Sequence, residues 1–244
     1  MDAEPPAASA ASRERYGPLV HRSVRHGAYL WIAGVAIFLI GNIVTQIGYG
    51  SGYSLLHNYI SDLGAVHCGI QAGHYFDNGY VCSPWHLVFN VSIVLMGIFL
   101  ILGVLLIRTG FPPRSTRTIG LAMLAIAGIG AIGVGLSPED FDLTIHALSA
   151  AVAFIIGNLA LIVLGFAMFR DTRWDGLRAY TILSGLVGLV AFVLFYTKNY
   201  FALGVGGMER LIVAPLLLWA LVAAIHLARI PTYAAPRSLP GTST

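Results

Sequence analysis

The chain has 244 residues, of which 14 are basic and 11 acidic, so 10% carry a charge while 57% are apolar. Soluble domains average about 25% charged residues, and a mean hydropathy of +0.78 leaves too little polar surface to face water. An ordinary cytosolic enzyme is excluded. So is a basic nucleic-acid module, because the net charge of +3 comes from scattered arginines and one lysine, Lys198.

A bilayer core about 30 Å thick takes roughly 20 mainly apolar residues per helix. Six such runs follow one another, at Tyr29–Tyr49, Leu87–Ile107, Ile119–Leu136, Ile145–Phe169, Ala179–Tyr196 and Leu211–Ile230. They predict an all-α polytopic membrane protein, a six-transmembrane-helix bundle forming one membrane domain over 27–230. Disordered tails are expected over 1–26 and 231–244, whose Ala, Pro and Ser content cannot bury enough apolar surface to fold. The first run lacks a small-residue cleavage site and is expected to be a span rather than a signal peptide.

Orientation follows from the arginines, since cytoplasmic loops retain Lys and Arg. Arg13, Arg15, Arg22 and Arg25 precede span one, Arg108, Arg114 and Arg117 join spans two and three, and Arg170, Arg173 and Arg178 join four and five. With Arg229 and Arg237 after span six, they place both termini in the cytoplasm and the chain in the plasma membrane. Lys198 and Arg210 alone fall on the other side.

Span three carries Ala127, Ala131 and Gly135 at four-residue spacing, a small-residue face that lets a neighbouring helix approach closely. Gly128, Gly130 and Gly133 also spell G-x-G-x-x-G. A dinucleotide fingerprint must follow a strand and open a helix, and this run lies inside a span.

The outer side holds five of the eight histidines, His57, His67, His74, His86 and His146, and six of the 11 acids, Asp62, Asp77, Glu139, Asp140, Asp142 and Glu209. Several sit at span ends: His86 with Asn90, His146 with Ser149, Glu209 with Arg210, and Asn42 with Gln46. Ionisable groups at membrane depth face a bundle interior or a wet cavity, so an outward-facing polar pocket is expected. The long outer loop over 50–84 supplies its roof, because Tyr53, Leu55, Leu56, Tyr59, Ile60 and Leu63 are apolar enough to cap the bundle or lie on the membrane. Within the loop, Asn58, Ser61 and Asp62 would share a face of a short helix. Cys68 and Cys82, the only cysteines, both fall in this loop and read most simply as a disulfide, the alternative being two buried thiols.

The segment His57-Asn58-Tyr59-Ile60-Ser61-Asp62-Leu63-Gly64 is followed by Ser83-Pro84-Trp85-His86 and Phe89-Asn90. Farther on come His146-Ala147-Leu148-Ser149-Ala150, with Phe154 and Gly157, and Gly206-Gly207-Met208-Glu209-Arg210-Leu211-Ile212-Val213-Ala214-Pro215. In these motifs the chain resembles the six-helix prokaryotic membrane proteins grouped as domain of unknown function 998. More distantly, the Ile-Ser-Asp-x-Gly run and the His-x-x-small-Ala element are similar to the FRAG/DRAM/SFK-type family. That likeness implies a lipid-facing role and carries over no catalytic residue, and the loop between Gly64 and Pro84 departs from it.

Two functions fit these residues. In the first, the pocket binds or handles a lipid or amphiphile without metal, with Asn58, Ser61, Asp62, His86, Asn90, His146, Glu209 and Arg210 as headgroup contacts and internal pairs. Arg210 offers a planar fork suited to phosphate or carboxylate, although Glu209 and Arg210 would also satisfy each other or a nearby loop. In the second, the chain is an intramembrane hydrolase or acyl-transfer enzyme in which Ser61 or Asp62 works with His86 and His146. Two imidazoles and a carboxylate would also suit zinc with an open position, but no metal-spacing motif is present and His226 lies at the wrong end. No cofactor is therefore expected, and bis-histidine haem between His86 and His146 lacks a matched inner pair. Membrane lipids are the expected partners and nucleic acid is not. Histidines beside carboxylates in the pocket would also change charge in mildly acidic surroundings.

Overall fold

The structure is a computed structural model that describes residues 22–50, 52–71, 74, 76–169 and 171–230. Residues 1–21 and 231–244 of the expected tails, with Arg13, Arg15, Arg170 and Arg237, lie outside the described residues, as does the side chain of Asp77. Six long helices dominate: α1 (Arg22–Ile47), α2 (His86–Ile107), α3 (Ser115–Leu136), α4 (Leu143–Ala167), α5 (Asp175–Tyr196) and α6 (Gly204–Arg229). Each contains an apolar stretch long enough to cross a bilayer. Ile40, Leu105 and Val190 point outward at 61%, 69% and 58% exposure, and a continuous surface of such side chains is solvated by hydrocarbon rather than water. The chain is a multi-pass membrane protein.

Helix α1 starts at Arg22, so residues 22–26 are helical and do not belong to the tail. Helix α6 likewise starts at Gly204, ahead of the apolar run that begins at Leu211. Hydropathy marks the part of a helix that lipid must solvate, whereas the helix itself continues for as long as its backbone groups are paired.

Each helix packs on its neighbour in sequence and α6 returns to α1, closing the six into a ring. Small residues set the approach of α2, α3 and α4. A Cβ at Gly97 would stand 2.5 Å from the Gly128 carbonyl oxygen, and one at Gly130 would stand 2.7 Å from that of Ser149. The G-x-G-x-x-G run is thus a packing surface between α2 and α4. The expected single small-residue face divides: Gly135 lies against Asn90 of α2, while Ala127 and Ala131 face the ring centre. Helix α4 is interrupted by a π-turn at Val152–Ile156. There Asn158 donates to the carbonyls of Phe154 (2.8 Å) and Ile212 (3.2 Å). Ile212 adjoins the Leu211 carbonyl, which Pro215 leaves without its helical N–H.

The long connection between α1 and α2 roofs one end of the ring. A 3₁₀ turn, Ser61–Gly64, is followed by a hairpin of β1 (Gly69–Ile70) and β2 (Tyr80–Val81), with Gly69 opposite Val81. The Cys68–Cys82 disulfide joins the base of this hairpin. The segment caps the bundle unevenly: Leu63 is fully buried and Ile60 nearly so, whereas Leu55 and Leu56 are about half exposed. Closing a loop of about 15 residues stabilises by roughly 3 kcal/mol in the chain-entropy model. Replacing both cysteines by serine is therefore expected to lower the thermal midpoint of the detergent-solubilised protein and to expose the 69–81 hairpin to protease. An unchanged midpoint would mean that the roof is held without the bridge.

Candidate functional site

The site is built around a carboxylate that no solvent reaches. Asp62 has 0% exposure, so each of its oxygens needs a donor. Oδ2 accepts from Asn58 Nδ2 at 2.7 Å and from the backbone N–H of Tyr59 at 3.2 Å, and Oδ1 faces His74 Nε2 at 2.8 Å. Asn58 in turn accepts from the Ser54 N–H through Oδ1 (3.0 Å). The turn that carries Asp62 rests on α2 and its approach: Ser83 Oγ donates to the Leu63 carbonyl at 2.7 Å, and Asn90 Nδ2 to that of Gly64 at 3.0 Å. Only glycine fits at position 64, since a Cβ there would stand 2.5 Å from Asn90 Oδ1 and 3.2 Å from the Phe89 ring.

Helix α6 grips the same segment from the other side. Glu209 accepts from the Ile60 N–H through Oε2. Arg210 Nη1 donates to the carbonyls of Leu55, Asn58 and Gly206 at 2.9–3.0 Å, and Nη2 donates to the Tyr53 hydroxyl. The chain passes this close because Gly206 has no side chain: its N–H donates to the Leu56 carbonyl at 2.9 Å, and a Cβ would collide with the Asn58 carbonyl. Glu209 and Arg210 thus spend their hydrogen bonds on the loop rather than on each other. The Nη1 end of the guanidinium is engaged with backbone and the Nη2 end with Tyr53.

The connection between α3 and α4 completes the roof. Asp140 accepts from the backbone N–H groups of Val66 (3.0 Å) and His67 (2.7 Å) and faces His67 Nδ1 at 3.0 Å. Burial works against its carboxylate, yet these donors hold its pKa below the usual value. Glu139, beside it, places Oε1 3.5 Å from His74 Nε2. The donor atoms of Asp62, His74 and Glu139 all lie within 4.8 Å of one another.

The expected pairing of Asp62 with His86 and His146 does not form. His86 Nδ1 lies 3.0 Å from the Ser83 carbonyl oxygen and His146 Nδ1 2.8 Å from that of Ser137. The imidazole at Asp62 is His74. His74 and Glu139 were legible in sequence only as members of the outer polar population. The Glu139-Asp140 pair following Pro138, in a short connection opposite the loop, is the signal that points to them. Ser61 also departs from its neighbours, lining the ring interior while Asn58 and Asp62 bond to each other. Asn42 and Gln46 satisfy one another on α1.

Beneath the roof lies a crevice of about 70 Å³ at the ring centre, lined by every helix except α5. Its polar contributors at the roof end are Ser61, His146 and Glu209, with Asn158 deeper, and its remaining walls are apolar. Along α2 the lining runs from Phe89 to Leu100, about 16 Å at 1.5 Å per residue. A smaller void of about 30 Å³ shares Met96, Leu100, Leu216 and Leu217 with the crevice and continues to Trp31 and Ala220.

Burial alone would push the His74 imidazolium down, but the hydrogen bond to Asp62 and the nearby Glu139 carboxylate, with the charges of both, hold its pKa up at about 10. Burial also pushes the Glu139 carboxyl up. Both groups therefore bind protons more tightly in the folded chain. The stability owed to His74 is complete below about pH 6.5, its ordinary value, and is lost as pH rises toward about 10. With chelator present, the thermal midpoint is expected to fall across pH 7–10, and His74→Gln is expected to flatten that fall. Parallel pH profiles would place the titrating group elsewhere.

A family described as "Protein of unknown function (DUF998)" matches residues 32–226. No curated protein and no solved structure matches the chain. The match encloses the Asp62 turn, the Glu139-Asp140 connection and the start of α6, whereas the FRAG/DRAM/SFK-type likeness rests on the quoted motifs alone. By a match over most of its length, the chain belongs to the DUF998 family of membrane proteins.

Proposed function

We propose that the protein binds one amphiphile, a membrane lipid or a molecule of similar shape, with a single apolar chain in the ring crevice and the polar end beneath the roof. The observation that carries this reading is the distribution of polarity in the crevice. Ser61, His146 and Glu209 stand at one end, and apolar side chains line the path from there to Leu100 and Leu216. A cavity of only about 70 Å³ whose lining extends some 16 Å along α2 is narrow and elongated, the proportions of a hydrocarbon chain rather than of a ring system. Binding follows from contacts at both ends, since apolar walls take the chain while Ser61 and His146 offer hydrogen bonds to a headgroup. Arginine placement supports an orientation with both termini in the cytoplasm of a plasma-membrane protein and the roof outside, in which the polar end lies in the outer leaflet.

The role of Arg210 changes within this reading. It orders the loop that forms the roof, since Nη1 is engaged with the carbonyls of Leu55, Asn58 and Gly206 and Nη2 with the Tyr53 hydroxyl. The hydrolase alternative draws less support, since no hydrogen bond joins Ser61 to His146 or Asp62 as a nucleophile–base pair would require.

Native mass spectrometry after mild detergent extraction tests the proposal. The wild type is expected to carry one bound lipid per chain. Ala131→Phe, which drives a ring into the crevice, is expected to reduce that occupancy at least five-fold. Such overpacking costs about 1–3 kcal/mol, so retention of a cooperative melt separates loss of the site from loss of the fold. Equal lipid on both proteins would overturn the reading.

A further inference from the structure

The cluster joining the two roof loops has more negative charge than its one histidine can satisfy. The side chains of Asp62, Glu139 and His74 are 0%, 7% and 12% exposed. His74 Nε2 carries at most one proton, and the closer acceptor, Asp62 Oδ1 at 2.8 Å, takes it. Glu139 Oε1 faces the same nitrogen across 3.5 Å and has no hydrogen bond of its own. A nine-tenths-buried carboxylate oxygen is thus aimed into the cluster without a donor, a costly arrangement for a charged group.

We propose that Asp62, His74 and Glu139 form a binding site for one divalent transition-metal cation of the zinc class. A cation between the three donors satisfies Asp62 Oδ1, His74 Nε2 and Glu139 Oε1 together and balances both carboxylates with its two charges. One imidazole and two carboxylates suit zinc and its first-row neighbours. Metal–ligand bonds of 2.0–2.1 Å at tetrahedral angles separate neighbouring donors by about 3.3 Å, between the 2.8 Å and 3.5 Å present. For the two pairs that include His74 the adjustment is a few tenths of an ångström, and the carboxylate oxygens of Asp62 and Glu139 lie within 4.8 Å of each other.

Second-layer contacts are in place as well. Asp62 Oδ2 is held by Asn58 Nδ2 and the Tyr59 N–H, which leaves Oδ1 directed at the site, and such outer contacts orient metal ligands. The Tyr59 ring packs edge-on against His74, with centroids 4.9 Å apart. His74 and Glu139 also line an open cleft of about 410 Å³ on the roof surface, shared with His67 and Asp140. The cleft gives a cation a route from solution, and a water from it would complete a fourth position. The site fastens the α1–α2 loop to the α3–α4 connection, whatever the crevice holds.

The groups facing His74 are Asp62, Tyr59 and Glu139, with Asp140 next in the cleft. Zinc takes the unprotonated imidazole, so its binding competes with protons at His74. The test is isothermal titration of zinc into metal-stripped, tag-free full-length protein in non-reducing buffer at pH 7, which keeps Cys68 and Cys82 paired. Repeating it in buffers of different ionisation enthalpy counts the protons released. The expected result is one zinc per chain with release of at least one proton. Glu139→Gln and His74→Gln should each weaken binding ten-fold or more, while His26→Ala, an exposed histidine on α1, should leave it unchanged. Stoichiometry is read on the wild type, so the proposal stays testable even if a variant fails to fold. Substoichiometric zinc, or wild-type affinity in either cluster variant, would overturn it.

Discussion

The roof depends on satisfying one carboxylate. Asp62 sits where the ring of helices meets the loop above it, fully removed from solvent, and a charge in that position must be hydrogen-bonded on both oxygens. Asn58 reaches it only if residues 58–62 form a tight turn, and His74 reaches it only if the chain after the turn folds back over the bundle. The turn is then seated by Asn90 and Ser83 from the α2 side and by Glu209 and Arg210 from α6. Removing one member leaves the others buried without partners, which is why such networks act as units.

The same network shapes what lies beneath. Ile60 and Ser61 close the roof end of the ring crevice, and their positions follow from Glu209 holding the Ile60 N–H and Asp62 holding its own turn. The crevice exists because chain-neighbouring helices close into a ring rather than collapse on a central helix. Glycines draw α2, α3 and α4 together at the walls, while Ala127 and Ala131 keep the centre narrow. Buried polar groups at the roof end and hydrocarbon walls below give the cavity the polarity gradient of an amphiphile.

Much of the architecture was legible in the sequence, because bilayer solvation writes itself into composition. Six apolar runs marked six helices, and two cysteines in one loop marked the bridge between Cys68 and Cys82. Asn58, Asp62 and Glu209 were recognisable as polar groups in costly positions. Their partners were not, since a hydrogen bond across 149 residues, such as Glu209 to Ile60, leaves no local spacing to read. Arg210 was read either as a fork for an anion or as bonded to Glu209 or a nearby loop, and carbonyls of a distant loop engage it. His74 is 12 residues from Asp62 and Glu139 is in another connection altogether, so the cluster appears only when both loops fold over the ring. The π-turn in α4 and the helical start at Arg22 were hidden for a different reason: backbone pairing, not hydropathy, determines them.

Asp62 locks the roof while the ring stands independently. Amide hydrogen exchange of the wild type and of Asp62→Ala measures this most directly, with the N–H groups of Tyr59, Ile60 and Leu63 as reporters and those of α2 and α3 as the internal control. Slow exchange is expected at all of these in the wild type. In the variant, the three roof amides should exchange at least 100-fold faster while the helices remain protected. Roof protection that survives the loss of the Asp62 carboxylate would contradict it.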